Sequence, residues 1–403
     1  MLMRSFVLFL LLGLPVMTLA AQPCLLQVES QANSLAPLRR QLAAAQISEE
    51  ERYLVPAEMR GKISQLKQAL AKTADAAMRC QGRDANPKSL QSELDGLLRA
   101  SQPKSASESD FFYGAHLRFR VERPNGTSQL IAIMASFEIG CGYDEMLLVY
   151  AFDSNGWKRK LRWQSAPYDE VKGAFGDFFK YVFVSADRTP GWRIVAAHGT
   201  PWCMSRWSKF AVDVLEPTSD EDKPAVLWHK ENGYTRFLPE PTLKAVGGGF
   251  ELRVEGATIE AEMMTRAHIY RYERADRTMR RVQPVAVNVR DFVDEWIQSR
   301  WDEAANWTSR NAIAKLKELH EKLSPSQESA KTALAFSYGP VRSCSDGARH
   351  LQVEIDAEAG SEQRFATFFQ VETRQNGFMT LFSADSHADA RCAGADLSKS
   401  WPR

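Results

Sequence analysis

The sequence predicts an α+β protein on three observations: a helix-rich stretch before residue 100, a central run with two-residue alternation, and a final segment where helices give way to strands. Its 10 tryptophans and 21 phenylalanines supply the apolar bulk that real cores need. About 380 residues beyond the leader described next is more than one core usually supports, so two or three domains are expected.

The chain opens MLMRSFVLFLLLGLPVMTLAAQPC, with one positive charge at Arg4, an apolar run from Phe6 to Leu19, and small residues at Ala20 and Ala21. That order is the grammar of a secretory signal peptide, here residues 1–21. A membrane anchor is the rival reading, but Gly13 and Pro15 break the run, which falls short of the roughly 20 residues a span needs. Cys24 suggests a lipid-modified cysteine, yet Pro23 stands where such a site carries a small residue. A soluble periplasmic or extracellular protein is favoured, with no transmembrane segment in the mature chain. Loss of the leader removes only Arg4 and leaves 50 basic against 50 acidic side chains. So even a balance argues against nucleic acid as a partner.

Six cysteines, Cys24, Cys80, Cys141, Cys203, Cys344 and Cys392, all follow the leader. An even number in an exported chain reads as disulfides, with about 15 pairings open. Position along the chain favours Cys24–Cys80, Cys141–Cys203 and Cys344–Cys392, one bridge per region. A zinc site lacks the short spacing that such a site shows.

Residues 22–100 read as helical. Met59, Ile63, Leu66, Leu70 and Ala74 recur at helical intervals, a second helix is expected at Leu26–Ala45 with an interruption near Pro37, and a third at Ser89–Leu98. The polar stretch 101–110, SQPKSASESD, reads as a linker. Residues 111–284 read as strands, beginning with a hairpin on Pro124-Asn125-Gly126. Within them LLVYAFD, SKFAVDV and AHIYRYE place Tyr150, Phe210 and Tyr270 sixty residues apart, and Asp153, Asp213 and Glu273 keep the same step. A β-meander used three times, as in blades or a duplicated sandwich, explains that spacing; coincidence among ordinary strands is the alternative.

Residues 285–403 change pattern again. Asn288 caps a helix with Asp291 in its first turn and Phe292, Val293, Trp296 and Ile297 as its apolar face. Ala312–Leu323 reads as another helix, and the strands ALAFSYGPV, HLQVEIDAE and ATFFQVETRQNGFMTLFSAD follow. This order, helices and then a curled antiparallel sheet, resembles the small α+β cone of the NTF2-like superfamily over about residues 285–392. The resemblance implies a fold and carries over no catalytic residue, because the superfamily holds enzymes and non-enzymatic modules alike.

Chemistry-bearing patterns are few. Asp385, His387 and Asp389 alternate in SADSHADARC, so one face of an extended strand could offer them to a metal, with His350 as a further ligand. A solvated turn leading to Cys392 is the favoured reading, and no cofactor is expected. In Trp157-Lys158-Arg159-Lys160-Leu161-Arg162-Trp163, a strand would put Trp157, Arg159 and Trp163 on one face, where rings and a cation could meet a sugar; tryptophans in a core are the favoured alternative. Trp202 and Trp207 raise the same two readings. No metalloprotease, nucleophile-elbow or phosphate-loop motif occurs. His198 lies near Cys203, whose thiol a disulfide would consume. His320 reads as a boundary residue of its helix.

These observations point to an exported, disulfide-stabilised binding or scaffold protein of the bacterial cell envelope, with a glycan or a protein as its partner. A periplasmic or extracellular hydrolase with a pocket in the C-terminal region is the alternative, and a glycan-binding protein is another.

Overall fold

In the computed structural model the described residues are 21–45, 55–103, 112–124, 127, 129–139, 142–166, 178–185, 191–199, 206–235, 239–260, 264–275, 278–324, 334–345, 349–359 and 363–400. They form helices and four-stranded antiparallel sheets, as the α+β reading requires. The chain divides into two compact units. One draws on Met1–Gln46, Pro56–Phe137 and Met146–Arg162, the other on Ile47–Val55, Glu138–Glu145 and Trp163–Arg403. The leader, the Cys141–Cys203 pairing and most of the 101–110 linker lie outside the described residues.

The first unit begins with helices α1 (Ala21–Asn33), α2 (Leu35–Ala43), α3 (Ala57–Arg79) and α4 (Pro87–Ala100). The break between α1 and α2 falls at Ser34, three residues before the expected Pro37. The Ser34 hydroxyl donates to the Gln31 carbonyl at 2.6 Å, a local bond that competes with the helix ladder. Pro37 then sits in the first turn of α2, where its missing N–H is not needed. Helix α3 buries Met59, Ile63, Leu66, Leu70 and Ala74, the stripe its spacing predicts. Helix α4 starts at Asn86, whose side-chain oxygen accepts from the Lys88 amide at 2.9 Å, with Pro87 at the first helical position. A Cys24–Cys80 disulfide ties α1 to the end of α3.

Strands β1 (Ala115–Glu122), β2 (Leu130–Ile139), β3 (Gly142–Asp153) and β4 (Gly156–Gln164) form a meander in chain order. Asp75 on α3 accepts from the Tyr150 hydroxyl at 2.8 Å and pairs with Arg159 at 3.2 Å, which fastens β3 and β4 to the helix. The free edge of β1 is closed by a side chain. Gln91 donates to the Phe119 carbonyl at 2.8 Å and accepts from the Val121 amide at 2.7 Å, so one amide group stands in for a neighbouring strand.

In the second unit two further meanders follow: β5 (Phe179–Ser185), β6 (Trp192–Gly199), β7 (Trp207–Glu216) and β8 (Ala225–Thr235), then β9 (Thr242–Val246), β10 (Gly249–Ala257), β11 (Thr265–Ala275) and β12 (Thr278–Arg281). Tyr150, Phe210 and Tyr270 fall on the third strand of their respective meanders, which is the physical content of the sixty-residue spacing. The β5–β8 and β9–β12 sheets share one apolar core, built from Val195, Phe210, Val212, Phe250, Leu252, Tyr270 and Tyr272 among others.

Helices α5 (Val289–Gln298), α6 (Trp301–Ala304) and α7 (Ile313–Leu323) then cover one face of a fourth meander, β13 (Leu334–Ser343), β14 (His350–Ala359), β15 (Gln363–Thr373) and β16 (Met379–Asp385). Asn288 caps α5, accepting from the Asp291 amide at 2.9 Å and donating to the Asp291 carboxylate at 2.8 Å. Phe292, Val293, Trp296 and Ile297 are buried with Val353, Phe369, Val371 and Leu381 of the sheet. The turn into β16 bends at Gly377, whose φ of 77° suits glycine. Gln283 seals part of the β16 edge as Gln91 seals β1, donating to the Met379 carbonyl and accepting from its amide, each at 2.5 Å. A Cys344–Cys392 disulfide closes this region.

Two buried carboxylates join α5 to the β9–β12 sheet: Asp294 pairs with Arg266 at 2.8 Å, and Glu295 gathers three donors. Glu295 receives Arg281 at 2.6 Å on one oxygen, and Arg266 at 2.6 Å and His268 Nδ1 at 2.8 Å on the other. All four side chains are at most 5 % exposed. Arg281 also reaches Glu303 at 3.1 Å and lies between the Tyr270 and Trp307 rings, 4.6 and 5.2 Å from their centroids. His268 lies so close above Gly256 that a Cβ there would sit 2.6 Å from the ring, so only glycine fits.

Burial pushes the Glu295 carboxyl up, but Arg281, Arg266 and His268 outweigh it and hold the group well below its ordinary range. A depressed acid stabilises the fold above its unfolded pKa, near 4.3 for Glu, and that stabilisation is lost as pH falls toward the folded value. Glu295→Gln leaves two buried guanidiniums short of charge and is expected to cost about 3–5 kcal/mol. Urea unfolding from pH 7 down to pH 3 checks both points: the wild type should weaken below about pH 4.5, and the variant should start weaker and lose less over that interval.

Candidate functional site

Strand alternation gives the β5–β8 sheet two unlike faces. Val182, Val184, Val195, Phe210 and Val212 point into the shared core. The opposite face is a grid fixed by strand register: Phe179, His198, Ala211 and Glu231 lie in one row across the strands, and Tyr181, Ala196, Asp213 and His229 in the next. Phe183, Ile194, Leu215 and Val226 follow.

Trp163 lies against this grid. Its ring stacks on Phe179 with centroids 4.5 Å apart and meets His198 at 4.9 Å, and its indole N–H donates to Asp213 at 3.4 Å. Those three partners sit on β5, β6 and β7, so a single side chain spans three strands. The alanines at 196 and 211 keep the middle of the grid low enough for it. From Trp163 a row of rings continues along β5 and onto β6: Phe179 to Tyr181 at 5.8 Å, Tyr181 to Phe183 at 6.1 Å, and Phe183 to Trp192 at 5.6 Å. Trp163 and Phe179 are buried, whereas Tyr181, Phe183 and Trp192 are partly open to solvent.

Asp213 is the polar centre. One oxygen accepts from His229 Nδ1 at 2.7 Å, and the other faces His198 Nε2 at 3.2 Å as well as Trp163. Burial pushes its carboxyl up, while the two histidines pull it down by more, so it sits below the usual Asp range. An ionised carboxylate only accepts, so each ring nitrogen facing it must carry a proton. In neutral His229 that fixes the proton on Nδ1 and leaves Nε2 with its lone pair. Nε2 lies 3.6 Å from Glu231, and the His229 side chain is 49 % exposed. The pair is therefore an oriented imidazole, ready to accept a proton or bind an electrophile at Nε2.

The residues singled out from the sequence are spread over several places. Trp157 is buried and donates to the Gly82 carbonyl at 2.8 Å, Arg159 is the partner of Asp75, and Trp163 belongs to the face just described. Trp207 lies on β7 with Arg206 stacked 4.9 Å from its ring centre, and Trp202 lies outside the described residues. In SADSHADARC, Asp385 pairs with Lys315 at 3.0 Å and His387 Nδ1 meets the Ser386 hydroxyl at 3.0 Å. Asp389 is held by Arg391 at 2.6 Å and by Gln370 at 2.9 Å, and the Arg391 contacts draw its carboxyl far below the ordinary Asp range. Its amide also donates to Gln352 at 2.8 Å. His350 stands opposite Glu372 in the β14–β15 register, with its ring against Phe382. Among the described residues no group of three or more His, Cys, Asp or Glu side chains is arranged to hold a metal ion.

Sequence reasoning did not assemble this face. Phe179, Tyr181 and Phe183 alternate visibly, and Asp213 stands at a repeat position, but His198 and His229 join it only through the register of β6, β7 and β8.

Asp213→Ala removes the acceptor shared by two imidazoles and an indole, and is expected to lower stability by about 1–3 kcal/mol. Nitrogen-15 spectra of the His229 ring should show the Nδ1–H form dominant in the wild type and that preference lost in the variant. An unchanged ring would mean that the carboxylate does not orient it. Compared with known proteins, the chain matches no family model and no curated relative.

Proposed function

We propose that this chain is an exported binding protein of the cell envelope, that the open end of its aromatic row is the recognition surface, and that its ligand is a glycan. Cys24–Cys80 and Cys344–Cys392 suit an oxidising compartment, and among the described residues no helix is long and apolar enough to cross a membrane. Both facts are compatible with the signal-peptide reading of residues 1–21. The order of elements from α5 to β16 likewise supports the NTF2-like reading of the last region.

The observation that carries the proposal is the gradient along the row. Trp163 and Phe179 are locked beneath neighbours, while Tyr181, Phe183 and Trp192 keep ring surface at the sheet margin. Rings held in fixed orientation by a sheet offer apolar faces at little entropic cost, and the polar edges of a sugar can find Asp213, His229 and Glu231 on the same face. A ligand with one apolar face and many hydroxyls fits that combination.

Titration of the protein with soluble cell-wall and capsular oligosaccharides, followed by tryptophan fluorescence and calorimetry, tests it. Binding should be weakened about tenfold by Trp192→Ala, equivalent to about 1.4 kcal/mol, and similarly by Tyr181→Ala, with melting temperatures little changed. Equal affinity in both variants would remove the row from recognition.

A further inference from the structure

We propose that His229 and Glu231 form an open binding site for a divalent transition cation, with Zn²⁺ as the representative ion. The two residues are spaced two apart on β8 and leave the same face of the sheet, with His229 Nε2 and the Glu231 carboxylate 3.6 Å apart. Nitrogen and oxygen ligands bound to zinc at about 2.0–2.2 Å in near-tetrahedral geometry lie roughly 3.4 Å from each other. The observed gap therefore accepts a cation with little movement.

The other side of the imidazole carries the second observation. His229 Nδ1 donates to Asp213 at 2.7 Å, and Asp213 is itself anchored by Trp163 and His198. Metal-binding histidines usually have such a carboxylate on the far nitrogen, because it fixes the ring and makes the outward nitrogen a better donor. Asp213 and Glu231 give the immediate surroundings a negative charge, set against His198 beside Asp213 and exposed Lys209 further along β7 on the same face. Two protein ligands leave the remaining positions to water or to oxygens of a bound molecule. The site thus adds a cation requirement to this face that the aromatic row alone does not imply, and it stands whether or not the row binds glycans.

Calorimetric titration of the full chain, free of any histidine tag, with Zn²⁺ alone at pH 7.5 tests it. One ion should bind per chain. His229→Gln should abolish the binding, Glu231→Gln should weaken it at least tenfold, and Asp213→Asn should weaken it about 10–100-fold. All three variants should melt cooperatively, which separates loss of ligand from loss of fold. Lowering the pH should also weaken binding, because protons compete for Nε2. No heat of binding up to millimolar Zn²⁺ would overturn the proposal. So would unchanged binding in His229→Gln, since the ion would then sit on another histidine.

Discussion

The second unit depends on an ionised carboxylate, Glu295, placed where water cannot reach it. Glu295 would be intolerable there alone, since removing a charge from water costs several kcal/mol even after the protein relaxes. It is tolerated because donors from β11 and β12 converge on it, while Asp294 beside it takes a second contact from Arg266 and Glu303 a second one from Arg281. Such an arrangement is often no more stabilising than apolar packing of equal volume, but it is demanding about geometry. Strands β11 and β12 must arrive in one register, α5 must present one turn, and residue 256 must lack a side chain. The core clusters on either side then fill space around a junction already specified.

The same chemistry appears in a looser form at Asp213. There too a carboxylate gathers histidines and another N–H donor, yet one of the histidines stands half in solvent. Burial decides the difference. At Glu295 the donor side chains are all buried, whereas at Asp213 the outward nitrogen of His229 stands at the surface, available for chemistry. A site can thus arise from a structural device when one partner is left at the surface.

Much of the fold was legible because it follows local rules. The apolar stripe of α3, the Asn288 cap and the Gly377 turn each depend on residues a few positions apart. The sixty-residue spacing was legible as well, since Tyr150, Phe210 and Tyr270 occupy equivalent strands. The break at Ser34 was misplaced because proline is the louder signal, although a hydroxyl bonded to Gln31 ends the ladder first. The candidate site was not legible. Its members lie on β4 to β8, and the register that unites them is set by pairing across whole strands rather than by any short motif. The ionic junction was hidden for the same reason, as Arg266, Arg281 and Glu295 are unremarkable charges until three elements meet.

The two glutamines that close sheet edges have a chemical consequence of their own. Gln91 and Gln283 work because a carboxamide presents a donor and an acceptor side by side, as a peptide group does. Hydrolysis of that amide, the slow ageing reaction of glutamine, would turn each into a carboxylate that accepts but no longer donates. The Phe119 and Met379 carbonyls would then face negative oxygen instead of an N–H, and the edge would reopen at that point. These two edge contacts therefore rest on groups with a finite chemical lifetime, and conversion of either would cost its strand one donor while leaving the acceptor in place.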